Sequence, residues 1–335
     1  MPSKSAPAGD EPYWGPITAN YDWYARARHP RTRGETPRGS APRVPVANRP
    51  MGRHLETPTV LPGADTAPPD PSPPPPRRCE GNYQVSSYIA EFFNTLSSVP
   101  TFTVGVYFLL IAGKHRYGFR FRLAGWMLAL VGLGSVAFHG TLTRFGQILD
   151  EVPMLYSSSI FLWISGSLHY PVGPAGDAKS ARLGWGLLAY CVLVTLAYAN
   201  GGFEVFFVAY ALTVVAVAVT SLRASAKSKV RATTRPYVLW ALGIYIGGFL
   251  ALWIPEQIFC GNRLHVHHHS LLQELPVPLH AFFHVTSSVG PLAWLTFAAF
   301  EATHRVRRAP KIRWGRHPLL WGASGPEVVP KRVSP

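Results

Sequence analysis

His280-Ala281-Phe282-Phe283-His284 is the stretch on which the reading of this chain turns. Two histidines four residues apart fall one turn above each other on a single helix face, which is the spacing of a helical metal clamp. Residues 285–300 are apolar apart from small side chains, so the clamp opens a hydrophobic helix. A third histidine, His139, closes another apolar run at 126–138. Three neutral imidazoles hold a zinc ion and leave its fourth tetrahedral position to water. Strongly polar groups inside a membrane segment are functional candidates by default. For His280 and His284 alone, a seat at the lipid–water interface without any metal is the competing reading.

The 335 residues are 47% hydrophobic and 15% charged, with a formal net charge of +15. The mean hydropathy of +0.10 looks soluble, but charge and apolar surface lie in different places. From 85 to 300 the chain is a series of long apolar runs with short polar breaks, preceded by a Pro/Arg-rich stretch and followed by a basic tail. Runs of about 18 or more apolar residues read as membrane spans. The positive charge flanks these runs, as expected of a membrane protein. No basic run is interleaved with a soluble module, which argues against nucleic acid as a partner. The three cysteines, Cys79, Cys191 and Cys260, have no metal-binding spacing, so a metal must rest on histidine. Residues 1–10 are polar and lack the apolar core of a signal peptide.

The chain divides into four parts. Residues 1–23 form an N-terminal segment ending in Tyr21-Asp22-Trp23. Residues 24–78 hold 14 of the 32 prolines and ten arginines, with no strand or helix period, and are expected to be disordered or polyproline-like. Residues 79–304 carry seven candidate spans, near 85–112, 121–142, 147–168, 183–199, 203–222, 237–259 and 278–302. Residues 305–335 form a basic tail. Loops one–two, three–four and five–six, together with the tail, hold most of the Lys and Arg, and the alternate loops are poor in them. The expected fold is therefore an all-α seven-helix membrane bundle with a lumenal N-terminus and a cytosolic C-terminus.

This topology brings the end of span two (His139) and the starts of span three (Asp150) and span seven (His280, His284) to one membrane depth. Ser135 precedes His139 by four residues and shares its helix face. A zinc ion lowers the pKa of a bound water toward neutrality. A carboxylate such as Asp150 takes a proton and passes it to a leaving amine, and a hydroxyl such as Ser135 hydrogen-bonds an oxyanion. Each also has a plain structural role: a helix serine bonded to the preceding turn, and an acid favoured at a helix start. A second cluster, Asp22, Glu80, Asn82 and Glu91, offers only oxygen and suits calcium rather than zinc. From residues alone the reading stops at a membrane zinc hydrolase or a zinc-containing receptor.

Several motifs together resemble the alkaline ceramidase family. They are Trp14-Gly15-Pro16, Asp22-Trp23, Cys79-Glu80-Gly81-Asn82-Tyr83, Ala90-Glu91-Phe92-Phe93-Asn94-Thr95-Leu96-Ser97, Gly134 to His139, Leu149 to Met154, and the 280–284 clamp. The resemblance spans nearly the whole chain except 24–78 and the last twenty or so residues. It implies zinc on His139, His280 and His284, catalysis by Ser135 and Asp150, and calcium on Asp22, Trp23 (through its carbonyl), Glu80, Asn82 and Glu91. It also implies a lumenal Cys79–Cys260 disulfide and cleavage of ceramides, phytoceramide or dihydroceramide in fungal relatives, to a sphingoid base and a fatty acid. The location implied is the endoplasmic reticulum or Golgi membrane. The lipid and the bilayer are the partners, and no protein partner is inferred.

Two departures stand out. In the family Trp and Cys are adjacent, whereas here 55 residues separate Trp23 from Cys79. Codons for Trp23-Tyr24 and for Arg78 allow splice signals in frame, so a translated, unspliced intron is the expectation for 24–78. Trp253-Ile254-Pro255-Glu256-Gln257 replaces a Trp-Asn-Leu-Asp-like run. The alternative class is a seven-span progestin- or adiponectin-receptor-like protein with a structural zinc. The loop charges and the acidic cluster weigh against it. A transporter would show inverted repeats, and none is evident.

Overall fold

The computed structural model describes residues 80–201, 203–259, 275, 277–306, 309–316 and 324–330. The expectations for Asp22, Trp23, Cys79, Cys260 and the 24–78 segment lie outside these residues. Seven long helices fall where the apolar runs predict them: α1 (Phe92–Lys114), α2 (Phe119–Thr141), α3 (Arg144–Ser167), α4 (Pro174–Gly201), α5 (Phe203–Lys227), α6 (Arg231–Phe259) and α7 (Leu279–Arg305). Five of them, α1, α2, α4, α5 and α6, are long and apolar enough to cross a membrane. The other two, α3 and α7, carry acids and histidines on buried positions. Exposed Trp126, Leu133, Trp185, Leu193 and Leu212 turn outward from the bundle. Soluble monomers rarely show so much contiguous apolar surface, and a lipid-facing surface requires it. This is a helical membrane protein.

Helix α1 packs against α2 and α7, α2 against α3, α3 against α5, and α6 against α5 and α7. Helix α4 packs on α3 and α5. The α1–α2 seam needs small residues. A side chain at Gly132 would sit 2.1 Å from the Phe102 amide, and one at Gly105 would sit 2.2 Å from the Ala129 amide. Close backbone approach of this kind is how helices associate where no hydrophobic effect drives them together. Phe108, Ile111, Leu295 and Phe297 fill the space between α1 and α7. Prolines 100, 153, 236 and 291 sit inside helices, as membrane bundles tolerate.

Two elements differ from expectation. The first apolar run begins at 85, yet α1 starts at Phe92. Residues 83–91 instead form a turn laid on the end of α2, with Tyr83 N bonded to Ala90 O (2.7 Å), Ala90 N to Gly140 O (3.0 Å) and Glu91 N to His139 O (2.9 Å). The basic tail from 305 carries a β-hairpin, so the chain is not all-α as expected. Strands β1 (Lys311–Arg316) and β2 (Ser324–Val329) pair antiparallel, Ile312 against Val328 and Arg313 against Glu327. Val328 is buried in the same cluster as Tyr107, with Tyr117 packed against it. The Tyr117 hydroxyl donates to Val328 O (2.7 Å) and accepts from Val328 N (2.9 Å). Glu327 is buried between Lys114 Nζ and His115 Nε2, each 3.0 Å away. Burial pushes its carboxyl up, but these two partners outweigh that and hold it below the usual carboxylate range.

Candidate metal centre

The α1–α2–α7 contact is what assembles the site. His139 lies in the last turn of α2, and His280 and His284 lie in the first two turns of α7. Ring centroids are 5.1 Å apart for His139–His280, 4.9 Å for His139–His284 and 4.5 Å for His280–His284. One nitrogen from each ring lies within 4.8 Å of the others, so the three are able to share one ion. His139 and His284 are buried and His280 is half-buried.

The hydrogen bonds decide which nitrogens face the shared point. Glu91 Oε2 lies 2.6 Å from His139 Nδ1, and a carboxylate accepts, so Nδ1 carries the proton. In the neutral ring the lone pair is then on His139 Nε2, which is buried with no hydrogen-bond partner among the described residues. The Asn94 carbonyl oxygen, which only accepts, lies 3.1 Å from His284 Nδ1. Ser97 and Ser98 hydroxyls sit 2.9 and 3.1 Å from the same nitrogen. His284 is thereby also fixed with Nδ1 protonated and Nε2 free to ligate. A carboxylate or carbonyl behind the imidazole is the usual outer support of a metal-binding histidine. A buried nitrogen lone pair without a donor is costly unless something fills it. The donor set, three neutral imidazoles, fits zinc.

Ser135 and Asp150 are brought to the same place. Ser135 is buried, and its hydroxyl lies near the Asp150 carboxylate. It also accepts from Ser98 Oγ at 3.0 Å, which links it to the His284 support. The closeness of α2 and α3 depends on Gly134, where a side chain would lie 1.9 Å from Leu149 O. Thr143, not Asp150, caps α3, accepting from Gly146 N at 3.1 Å. The adjacent acid, Glu151, faces away into a separate network with Gln147 Nε2 (2.8 Å) and the Tyr198 hydroxyl (2.5 Å).

Three of the five residues expected at a calcium site are described. Glu80 is buried, and its two oxygens accept Phe93 N (2.6 Å) and Asn94 N (3.0 Å), closing the first turn of α1. Glu91 is fully buried and bonded to His139 and to Asn94 Nδ2 (3.1 Å). Asn82 is exposed on the turn between them.

Some residues of the site escape sequence reading. The Glu256 carboxylate accepts the backbone N–H of His280 and so pins the start of α7. Glu256 follows a π-helical stretch in α6, Phe249–Trp253, a feature common near functional sites. Nothing in its sequence neighbourhood marks it except the unusual Trp253-Ile254-Pro255-Glu256-Gln257 run. Ser98 is signalled only by lying four residues after Asn94. Tyr210 on α5 and Tyr245 on α6, whose hydroxyls meet, lie 35 residues apart in the chain.

The pattern of the Ceramidase family matches residues 78–323. The chain is 27% identical over 243 residues to "Alkaline ceramidase 3" of Mus musculus, covering 70% of this chain and 86% of that protein. It is 30% identical over 227 residues to "Alkaline ceramidase YPC1" of Saccharomyces cerevisiae, covering 63% of this chain and 71% of that one. It is 29% identical over 258 residues to "Alkaline ceramidase" of Drosophila melanogaster, covering 73% and 84%. With its family pattern running from the turn before α1 through the 280–284 clamp and into the terminal hairpin, the chain belongs to the ceramidase family.

Proposed function

We propose that this chain is a zinc-dependent hydrolase of the amide bond of ceramides, releasing a sphingoid base and a free fatty acid. The single observation that supports it most is the pair of imidazoles, His139 and His284, held in one tautomer with Nε2 available beside His280. Family membership supports ceramide hydrolysis in sphingolipid metabolism as the activity.

His139, His280 and His284 hold the zinc, which when bound supplies a Lewis acid and a nucleophile usable near neutral pH. Asp150 takes the proton from the attacking water and delivers it to the amide nitrogen as the C–N bond breaks. Ser135 donates its hydroxyl hydrogen to the oxygen of the former carbonyl, where negative charge develops. Glu91 and Asn94 keep the imidazoles oriented. The helical bundle excludes water from the apolar chains.

The finer parts of the proposal rest on the family likeness and the loop charges. The substrate is phytoceramide or dihydroceramide. Seven helices cross the endoplasmic reticulum or Golgi membrane, with the N-terminus lumenal and the C-terminus cytosolic. Asp22, the Trp23 carbonyl, Glu80, Asn82 and Glu91 bind a calcium ion, an assignment supported by two buried acids placed close to the start of α1. Cys79 and Cys260 pair, and 24–78 is a retained intron whose absence from the mature transcript sequencing would reveal.

Purified protein incubated with labelled phytoceramide tests the activity. Release of free fatty acid that stops with a chelator and returns with zinc is expected. No amide cleavage under any metal condition would refute the assignment.

A further inference from the structure

At the end of α6 remote from Glu256, an open groove of about 570 Å³ is lined by Arg231, Arg235, Leu239 and Trp240. Arg231 and Arg235 are four apart and share a helix face. Both are exposed, and among the described residues neither has a carboxylate partner. There is no Asp or Glu anywhere between Glu204 and Glu256, while Arg223, Lys227 and Lys229 add to the local positive charge. On the packed helix α7, Glu301 is held by Thr234 Oγ1 (2.6 Å) and Ser228 Oγ (2.8 Å). One turn further along, Leu239 and Trp240 present an exposed apolar wall continuous with the lipid-facing side of α6.

A guanidinium pair above an apolar wall has the two-part character of a phospholipid. Arg binds phosphate oxygens bidentately, Trp prefers the headgroup level of a bilayer, and clusters of Lys and Arg beside membrane helices attract anionic headgroups. The lack of a capping side chain or acid in the first turn of α6 leaves its amide dipoles pointing the same way. We infer that this groove is a binding site for an anionic phospholipid, with the phosphodiester on Arg231 and Arg235 and an acyl chain along Leu239 and Trp240. The site is separate from the metal centre. Arg231 and Glu256 stand at opposite ends of α6, about 37 Å apart at 1.5 Å per residue. The inference rests on the chain being a membrane protein and not on its activity.

The test uses the full chain in phosphatidylcholine nanodiscs containing a minority of phosphatidylglycerol. Spin-labelled phosphatidylglycerol and spin-labelled phosphatidylcholine report the fraction of each lipid immobilised on the protein. Phosphatidylglycerol should be held in preference. Arg231→Gln with Arg235→Gln should lower that preference about 25-fold, since each surface cation contributes about a factor of five. The Arg231→Lys, Arg235→Lys pair should keep most of it, and Trp240→Ala should weaken retention. Equal retention of both lipids by the unaltered chain would overturn the proposal, as would a preference untouched by the double Gln variant. Inorganic phosphate at matched ionic strength should displace no more lipid than chloride does. Complete displacement by phosphate alone would mean a free-anion site and refute the lipid assignment.

Discussion

Glu91 Oε2 lies 2.6 Å from His139 Nδ1, with both side chains buried, and this contact joins the start of α1 to the end of α2. It assigns Glu91 a role that its sequence position alone did not disclose. The carboxylate stands directly behind a proposed zinc ligand and fixes its tautomer. Glu91→Gln keeps the shape but presents an amide where a charge stood. It should lower zinc affinity by roughly 10- to 100-fold, read as metal content after dialysis against a weak chelator. Unchanged zinc retention would show that Glu91 does not support the ion.

Ser135→Ala and Asp150→Asn separate the two proposed catalytic roles from metal binding. Loss of one oxyanion donor should lower kcat by about 10²–10³. Loss of the proton carrier should lower it by about 10²–10⁴. Zinc content should remain at the unaltered level in both. Full activity in either variant would remove that residue from the mechanism.

Gly134→Ala tests the α2–α3 seam. The added methyl would meet Leu149 O at 1.9 Å, so α3 must shift. A destabilisation of about 1–3 kcal/mol is expected, as for other overpacked sites, and activity should fall further because Asp150 moves away from Ser135. A variant with the thermal stability and activity of the unaltered chain would contradict the close approach.

The terminal hairpin should respond to pH through Glu327. Its carboxyl is held below its ordinary value of 4.5 by His115 and Lys114 despite burial. A depressed folded pKa means a contribution that is complete above the ordinary carboxylate range and lost as pH falls through the lower folded value. Amide exchange of β1 and β2, corrected for intrinsic rates, should therefore show constant protection down to about pH 5 and a decline below about pH 4. In Glu327→Gln this decline should be absent. Protection that rises on acidification would contradict the pairing. Tyr107 and Tyr117 also face this carboxylate, and Arg313 lies opposite Glu327 across the hairpin.

How much of this was legible beforehand depends on the kind of signal. The helices were, because unbroken apolar runs admit few alternatives in lipid. The clamp was legible because i and i+4 share a helix face, and His139 joined it through the topology implied by loop charge. The turn at 83–91 was not, since Val85, Tyr88, Ile89 and Ala90 lead into the apolar run of α1, while the bonds from Ala90 N and Glu91 N that tie the turn to α2 go to the backbone of Gly140 and His139, far along the chain. The hairpin was hidden in a basic tail because its stability comes from burying Val328 and Glu327 against distant Tyr107, Tyr117, Lys114 and His115. Glu256 was hidden for a similar reason. Its partner is a backbone N–H 24 residues away, and backbone groups leave no mark in a sequence.

The most direct measurement is metal stoichiometry against amide cleavage. Chelator-stripped protein is titrated with zinc while bound metal per chain and fatty acid release from phytoceramide are recorded together, for the unaltered chain and for His280→Ala. Activity should rise in proportion to occupancy of one chelator-sensitive zinc site and reach a plateau when it fills, with His280→Ala binding little at that site and cleaving nothing. Full cleavage by metal-free protein, or by His280→Ala, would contradict the account.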